Sequence, residues 1–407
     1  MTDVKTQLDI ICSGTQDLVS TQELEKMLAR GKPLRVKFGI DPTSPDIHIG
    51  HAVPLRKLKQ FQDLGHTAIL LFGDFTARVG DPSGRNVTRP QLSVEEIEEN
   101  LQTYLEQAFL ILDKDKTEIR RNSEWLEGLG IVEIMKLMGS TTVAQLLERN
   151  DFSNRYKEGS PISVLEFLYP LLVGFDSVAL KADVELGGTD QLYNLLMGRP
   201  LQEMEGQIPQ VCITTPLLEG TDGNKKMSKS LNNTIGLTDQ PLDMYGKVMS
   251  ISDEMMPKYF QLSTGWLPEE VSQVVCDLKS GKLAQVDAKK LLAKTVVDLY
   301  HGDGRGDDTA EEWVKIFSSG GRPSEIEMVE VSKSEFENDS QRLARILNSA
   351  GLVASNKEGA RMISQGAVRI EDVAFEDPDG LVSITQVDGK VIQVGKRKWA
   401  QISVTNI

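Results

Sequence analysis

Four histidines are spread over 407 residues, and two of them, His48 and His51, stand within one turn of each other in the stretch Arg35–His51. Imidazoles so close together can both donate to an anion and follow charge as it develops there. Before them, Val36, Phe38 and Ile40 alternate with other residues and read as a short buried strand ending at Asp41, after which Pro42, Thr43, Ser44 and Pro45 force a loop. After them, Leu55, Leu58, Phe61 and Leu64 recur every three residues and predict a helix, with Pro54 in its first turn and Gly65 at its stop. The histidines are therefore expected at a helix N-terminus, where backbone N–H groups and the helix dipole favour phosphate. This stretch reads as a nucleotide site.

A second group with phosphate chemistry is Lys226-Met227-Ser228-Lys229-Ser230. It follows Gly220, Asp222, Gly223 and Asn224, expected to form a mobile loop, and two lysines on such a loop can close over a triphosphate. Ala68–Phe72 is a continuous apolar run of the kind found in buried parallel strands, which completes a strand, helix, strand unit. Loops at the carboxyl ends of such strands form the ligand crevice, so Gly73–Arg85 should lie beside the first loop. Asp81 is then a candidate acceptor for a substrate ammonium, and Arg85 and Arg89 can meet phosphates. A later strand, Ala182–Leu186, runs into Gly187-Gly188-Thr189-Asp190-Gln191 and repeats the design, with Asp190 placed for ribose hydroxyls. Between these lies the apolar helix Ile162–Asp176, interrupted by Pro170 and Gly174. Its Tyr169 and Asp176 are seven apart, two helical turns, and share a face.

The elements that position these groups are legible at lower resolution. Met1–Arg30 reads as helical with Thr21 as a cap; Ser93–Asp113 and Val132–Glu148 have helical periodicity, the first with a Ser93/Glu96 capping box. Thr117–Arg121 reads as a strand, followed by Asn122 and a Trp125 expected to be buried. Beyond Ser230 come amphipathic helices at Asp243–Met249, Asp253–Leu262, Pro268–Lys279 and Asp287–His301, then a linker candidate at Pro323–Asn338. The remainder alternates helix (Gln341–Ala350, Lys357–Gln365) with short strands (Ala367–Ile370, Gly389–Val394, Gln401–Val404), a small α+β module. A net charge of −15 opposes a phosphate-binding surface over the whole chain. In this last module, however, basic residues that include Arg342, Arg345, Lys357, Arg361 and Arg369 outnumber the acids. Three distant cysteines argue against a disulfide framework or zinc site. The absence of a basic leader or of any run of about 18 apolar residues leads to the expectation of a cytoplasmic protein without a membrane partner.

His48-Ile49-Gly50-His51 resembles the HIGH signature, and Lys226–Ser230 the KMSKS signature, of class I aminoacyl-tRNA synthetases. Phe38–Thr43, Gly80–Arg85 and Gly187–Gln191 occur between and around them in family order, and Ser349–Ile370 resembles the S4 RNA-binding domain. From Lys37 to the C-terminus the chain is similar to the bacterial tyrosyl-tRNA synthetases. The resemblance implies an α/β fold: a Rossmann-like parallel-sheet catalytic domain with an inserted connective segment over 1–235, a helical domain over 236–322, a linker over 323–340 and an S4-like domain over 341–407.

The implied reaction is attack of a tyrosine carboxylate on the α-phosphorus of ATP, followed by transfer of the tyrosyl group to the 3′-terminal adenosine of tRNA(Tyr). ATP with Mg2+ is the expected substrate complex, with no tightly bound cofactor and no metal site, and a homodimer is expected. By the same resemblance Thr43, His48, His51, Lys226 and Lys229 serve the phosphates. Gly50, Gly188 and Asp190 hold the adenosine, Asp41, Asp81, Tyr169 and Gln191 the amino acid's polar end, and Asp176 its phenol. Two positions depart from the pattern: Val173 stands where a glutamine often approaches the substrate ammonium, and Lys37 where one branch has a tyrosine near the phenol. They leave open a synthetase for a tyrosine analogue, and a catalytically inactive RNA-binding paralogue is the rival from another class.

Overall fold

The computed structural model describes residues 2–43, 47–82, 93–228, 231–319, 326–395 and 398–405. The expectations for Arg85, Arg89 and Lys229 lie outside the described residues. The chain forms two compact units: Met1–Gln240 with Lys247–Asp303, and Pro241–Gly246 with Gly304–Ile407.

The first unit is built on a six-stranded sheet of β1 (Asp17–Val19), β2 (Arg35–Ile40), β3 (Thr67–Phe72), β4 (Thr117–Arg121), β5 (Val184–Gly188) and β6 (Val211–Thr215). Their spatial order is β1-β6-β5-β2-β3-β4, parallel throughout except for β1 against β6. The chain steps from β2 outward through β3 to β4, then returns to the other side of β2 for β5. β2 and β5 are thus neighbours whose outgoing loops run apart, and a crevice opens at their carboxyl ends. Five of the six residues of β3 are buried, which is why it reads as an unbroken apolar run.

Three local expectations are corrected. The continuous helix expected over Met1–Arg30 is two helices, Val4–Cys12 and Thr21–Leu28, separated by β1, and Ser20 rather than Thr21 supplies the capping box with Glu23. β1 forms only because distant β6 offers hydrogen bonds, which local periodicity does not report. The helix after the first strand is Ile49–Asp63 with His48 as its N-cap, so Pro54 lies inside it rather than in its first turn. Proline there leaves the Gly50 carbonyl without its helical donor. Val132–Glu148 divides into Ile131–Gly139 and Val143–Leu146, the second opened by a Thr142/Gln145 capping box.

The helix Val164–Leu180 continues through Pro170, opens on a Ser163/Glu166 capping box and ends at left-handed Lys181. It crosses the helix Leu192–Met204 at backbone contact, since a Cβ on Gly174 would lie 2.9 Å from the carbonyl carbon and oxygen of Met197. That contact fixes the height of Tyr169 and Asp176 above the sheet. No helix among the described residues is long and apolar enough to cross a membrane.

Helices Met256–Ser263, Pro268–Lys279 and Gln285–His301 fall in the first unit and Arg305–Ser319 in the second, whereas the sequence reading groups this region over 236–322. The second unit also contains β7 (Met328–Ser332), β8 (Ser340–Arg342), β9 (Val368–Ile370), β10 (Val373–Ala374), β11 (Leu381–Ser383), β12 (Val391–Val394) and β13 (Lys398–Thr405). They make a five-stranded sheet, β10-β9-β12-β13-β7, and a β11-β8 ribbon. β7 lies in the stretch expected to be a linker. It pairs in parallel with β13 and buries Val331 beside Leu343, Ile346, Ile363, Ile392 and Ile402. The two expected helices are present as Leu343–Ser349 and Asn356–Ser364.

Gly174→Ala should force the two helices of the first unit apart. Overpacking of this kind costs about 1–3 kcal/mol and is read as a lower urea midpoint. Gly139→Ala, with nothing within 4 Å of its new Cβ, should be neutral or slightly stabilising.

Candidate active site

Asp41 enters the crevice from the end of β2. Its Oδ1 accepts from Thr76 Oγ1 at 2.8 Å and its Oδ2 from Tyr169 Oη at 3.0 Å. The approach requires glycine at 73, where a Cβ would lie 2.0 Å from Asp41 Oδ1. Burial pushes the Asp41 carboxyl up to about 7, against the pull of the Thr76 hydrogen bond. Tyr169 is held as a neutral phenol by burial and by the carboxylates around it, Asp41 and Asp81.

Asp176, 2% exposed, lies two turns further along the same helix. Its Oδ1 accepts from Trp125 Nε1 at 2.8 Å and its Oδ2 from Asn122 Nδ2 at 3.2 Å. The Asn122 amide also lies 3.0 Å from Thr76 Oγ1, linking the two carboxyls through neutral groups. Burial raises Asp176 to about 7; the Lys37 cation and the two hydrogen bonds work downward, and Glu185 works upward.

Asp81 completes the polar wall. Arg149 approaches its Oδ1 at 3.3 Å, and Gln191 Nε2 donates to its Oδ2 at 2.9 Å. Asn194 fixes both neighbours: its amide donates to Gln191 Oε1 at 2.7 Å and its Oδ1 accepts from Arg149 at 2.9 Å. Asp151 takes the Arg149 Nε at 2.8 Å. Three carboxyls and a phenol thus converge from β2, the loop after β3 and the Val164–Leu180 helix. The arrangement suits a ligand that brings an ammonium to one end and a hydroxyl to the other.

At Lys37 the structure departs from the expected ligand contact. The residue is fully buried. Its ammonium lies 2.8 Å from Glu185 Oε1, 2.7 Å from Ser177 Oγ and 3.3 Å from the Val173 carbonyl. An ammonium has three donors, and these partners use them. Val173 contributes that carbonyl, and its half-buried side chain has no polar atom.

At the phosphate end, His48 caps the Ile49–Asp63 helix and Gly50 and His51 lie in its first turn, with the two rings stacked at 3.8 Å between centroids. The entry is pinned from the other signature's side: Ile49 N donates to Ile235 O at 2.9 Å, and His48 bridges to Gly236. Met227 is buried, and Ser228 N donates to Asn233 Oδ1 at 2.8 Å. Lys226 reaches across to Asp190 Oδ2 at 2.7 Å, just past Gly188 at the end of β5. Thr43 N closes a turn onto Asp41 O at 2.7 Å. Arg342, Arg345, Lys357, Arg361 and Arg369 are in the second unit and exposed.

Sequence reasoning missed Thr76, Asn122, Trp125, Arg149, Asn194, Ser177 and Glu185. Asn122 and Trp125 follow the carboxyl end of β4, so the loop-position rule applied to Asp81 could have found them. Trp125 is half-buried, with its indole N–H directed at Asp176. Arg149 carries no sequence signal, since its partners are assembled only by the fold.

The raised Asp176 carboxyl makes stability depend on pH. The folded state keeps a proton that the unfolded chain releases near 4, so stability declines as pH rises from about 4 to about 7, with a limiting slope of about 1.4 kcal/mol per pH unit for one group. Asp176→Asn removes that share. Its urea midpoint relative to the native protein should rise between pH 5 and pH 8, and a constant difference would contradict the assignment.

The sequence profile of the family described as tRNA synthetases class I (W and Y) matches residues 29–318. The tyrosine–tRNA ligase of Carboxydothermus hydrogenoformans is 48% identical over 404 residues, covering 98% of each chain. That of Thermotoga maritima is 47% identical, covering 98% of this chain and 97% of its own. The tyrosine–tRNA ligase 2 of Vibrio cholerae is 46% identical over 99% of this chain and 100% of its own. The solved tyrosyl-tRNA synthetase of Archaeoglobus fulgidus, complexed with L-tyrosine, has the same fold, with a TM-score of 0.63 at 24% identity over 75% of this chain and 99% of its own. Similarity at this level along nearly the entire length, on a parallel sheet with the histidine signature at the start of the helix after β2, places the chain in the class I tRNA synthetase family of the tryptophan and tyrosine enzymes, among the bacterial tyrosine–tRNA ligases.

Proposed function

We propose that the protein activates tyrosine with ATP and transfers it to the 3′-terminal adenosine of tRNA(Tyr). The observation that carries this reading is the near-full-length identity to tyrosine–tRNA ligases, joined to a pocket with Asp176 at one end and Tyr169 with Asp81 at the other. A tyrosine carboxylate oxygen attacks the α-phosphorus of ATP, the bond to the bridging oxygen breaks, and pyrophosphate leaves. No enzyme nucleophile takes part. Rate enhancement comes from holding the reactants in line and from donors aimed at the phosphates as charge grows on them. Thr43, His48, His51, Lys226 and Lys229 fill that role, and magnesium arrives with ATP as part of the substrate.

Asp176 accepts the hydrogen bond that the substrate's phenol donates, and Asp81, Tyr169, Asp41 and Gln191 surround the amino end. A pocket that hydrogen-bonds a substrate hydroxyl rejects the analogue lacking it by roughly 10⁴–10⁵, a figure known for tyrosyl-tRNA synthetase itself and not a prediction from this pocket. Gly50, Gly188 and Asp190 receive the adenosine. The Lys226 to Asp190 pair is solvent-exposed and worth at most about 1 kcal/mol, so ribose hydroxyls can take Asp190 and free the lysine for the phosphates.

In the second unit, Arg342 and Arg345 line a hollow of about 560 Å³ with Asn356. With Lys357, Arg361 and Arg369 they give tRNA a basic surface that the acidic remainder lacks. Ile131, Val132, Met135 and Met138 leave one face of their helix exposed and apolar, which suits a second copy of the chain in a homodimer. The reaction belongs in the cytoplasm, with the tRNA.

Among the standard amino acids, tyrosine alone should support amino-acid-dependent pyrophosphate exchange. Exchange with none would remove the enzymatic reading, and exchange only with another amino acid would remove tyrosine. Reversing Arg345 and Arg361 to glutamate should leave exchange intact and raise KM for tRNA at least about tenfold, each lost phosphate contact weakening a salt-dependent attraction. Equilibrium sedimentation at micromolar concentration should give twice the chain mass of 45.1 kDa; Met135→Asp should return it to a single chain.

A further inference from the structure

We propose that the buried pair Lys37 and Glu185 sets the charge of Asp176, and thereby how strongly the pocket discriminates a phenol from an unsubstituted ring at neutral pH. The proposal rests on the reading of Asp176 as the partner of the phenol.

Lys37 on β2 and Glu185 on β5 are register partners across the two strands that flank the crevice. Their side chains are 0% and 3% exposed, and the ion pair spans 2.8 Å. Both reach the Val164–Leu180 helix beside Asp176: Lys37 meets the Val173 carbonyl and Ser177 Oγ, and Glu185 Oε2 accepts from Ser177 Oγ at 3.0 Å. Gln210 of β6's approach donates to the same Glu185 oxygen. Every polar atom of the pair thus has a protein partner, and the pair offers nothing to a ligand directly. Its influence on the pocket is its field.

The two charges act on Asp176 with opposite sign. The cation favours the carboxylate and the anion favours the acid, in a region where little water screens either. The other groups that face Asp176 are Trp125 and Asn122 beyond β4, with the charge of Asp41 at the end of β2 within its reach; Asp74, beyond β3, is tied to Ser123. Among these, Trp125 and Asn122 are neutral donors that favour the carboxylate, so Lys37 is the cation that works against burial at Asp176, and Glu185 is the anion that works with it. A carboxylate accepts a charge-assisted bond from a phenol and loses a partner when a phenyl ring takes its place. A protonated carboxyl is already neutral and distinguishes the two less. Asp176 stands at about 7, where removal of either charge tips it.

The test compares Lys37→Met, Glu185→Gln and the double variant in the full-length protein. The first readout is the pH titration of the Asp176 side-chain carboxyl by carbon-13 NMR without substrate, assigned with Asp176→Asn. Lys37→Met should move the midpoint upward by about one pH unit or more, a factor of ten in the proton equilibrium, Glu185→Gln should move it downward, and the double variant should return it close to the native value. The second readout is the ratio of kcat/KM for tyrosine and phenylalanine in exchange against pH, whose inflection should follow the first. Loosened packing alone would move both single variants in the same direction; that result, or unmoved midpoints, overturns the proposal. If a single variant does not fold, the charge-free double variant carries the test, and a midpoint displaced by more than about one unit overturns it. Absence of tyrosine-dependent exchange in the native protein would count against the phenol reading, whereas the substrate-free titration reports the coupling by itself.

Discussion

β2 and β5 hydrogen-bond to each other while the chain leaves them toward opposite sides of the sheet, and that constraint organises the first unit. Parallel strands with diverging exits leave a gap between them, and several of the described groups proposed to touch a ligand come from its rim. Asp41 and Thr43 come from the β2 exit, Gly188, Asp190 and Gln191 from the β5 exit, and the helix bearing His48 and His51 starts a few residues beyond β2. The Val164–Leu180 helix, seated on its neighbour at Gly174, roofs the gap with Tyr169 and Asp176.

The site stores electrostatic work. Asp41 and Asp176 are both pushed up to about 7 by burial, and Asp81 adds a third carboxyl whose charge reaches Asp41. Grouping them costs stability at neutral pH and above, and a cationic ligand group with hydroxyl donors relieves part of that cost. Perturbed carboxyls in a cleft are therefore better understood as preparation for a ligand than as a defect of packing.

How far the sequence could be read follows the range of the interactions. Helix periodicity, capping boxes and glycine loops are local, so Ser93/Glu96 was legible, as was a helix over Ile162–Asp176, although it runs unbroken from Val164 to Leu180 through Pro170 where an interruption is expected. β1 and β7 were not, because each is a short strand defined by a partner far away in the chain; β7 was lost in an apparent linker for that reason. Side-chain networks were least legible. Trp125 reads as core from its type alone, and only the fold turns its N–H toward Asp176. Lys37 lies in a strand next to a recognisable motif and invites a role at the ligand, but its partner Glu185 comes from the opposite side of the switch point and claims the ammonium.

The closed pair of Lys37 and Glu185 also constrains how this sequence can drift. A buried ion that loses its counter-ion costs about 3–5 kcal/mol, a large share of the 5–15 kcal/mol that typically separates folded from unfolded protein. Whichever of the two positions changes first exposes the lineage to that loss, and Ser177 and Gln210, which complete the hydrogen bonding, raise the barrier further. A neutral residue at either position therefore leaves the other charge buried without its counter-ion. The pocket floor is thus energetically coupled: replacing the lysine and glutamate together avoids the buried unpaired charge that either single replacement creates.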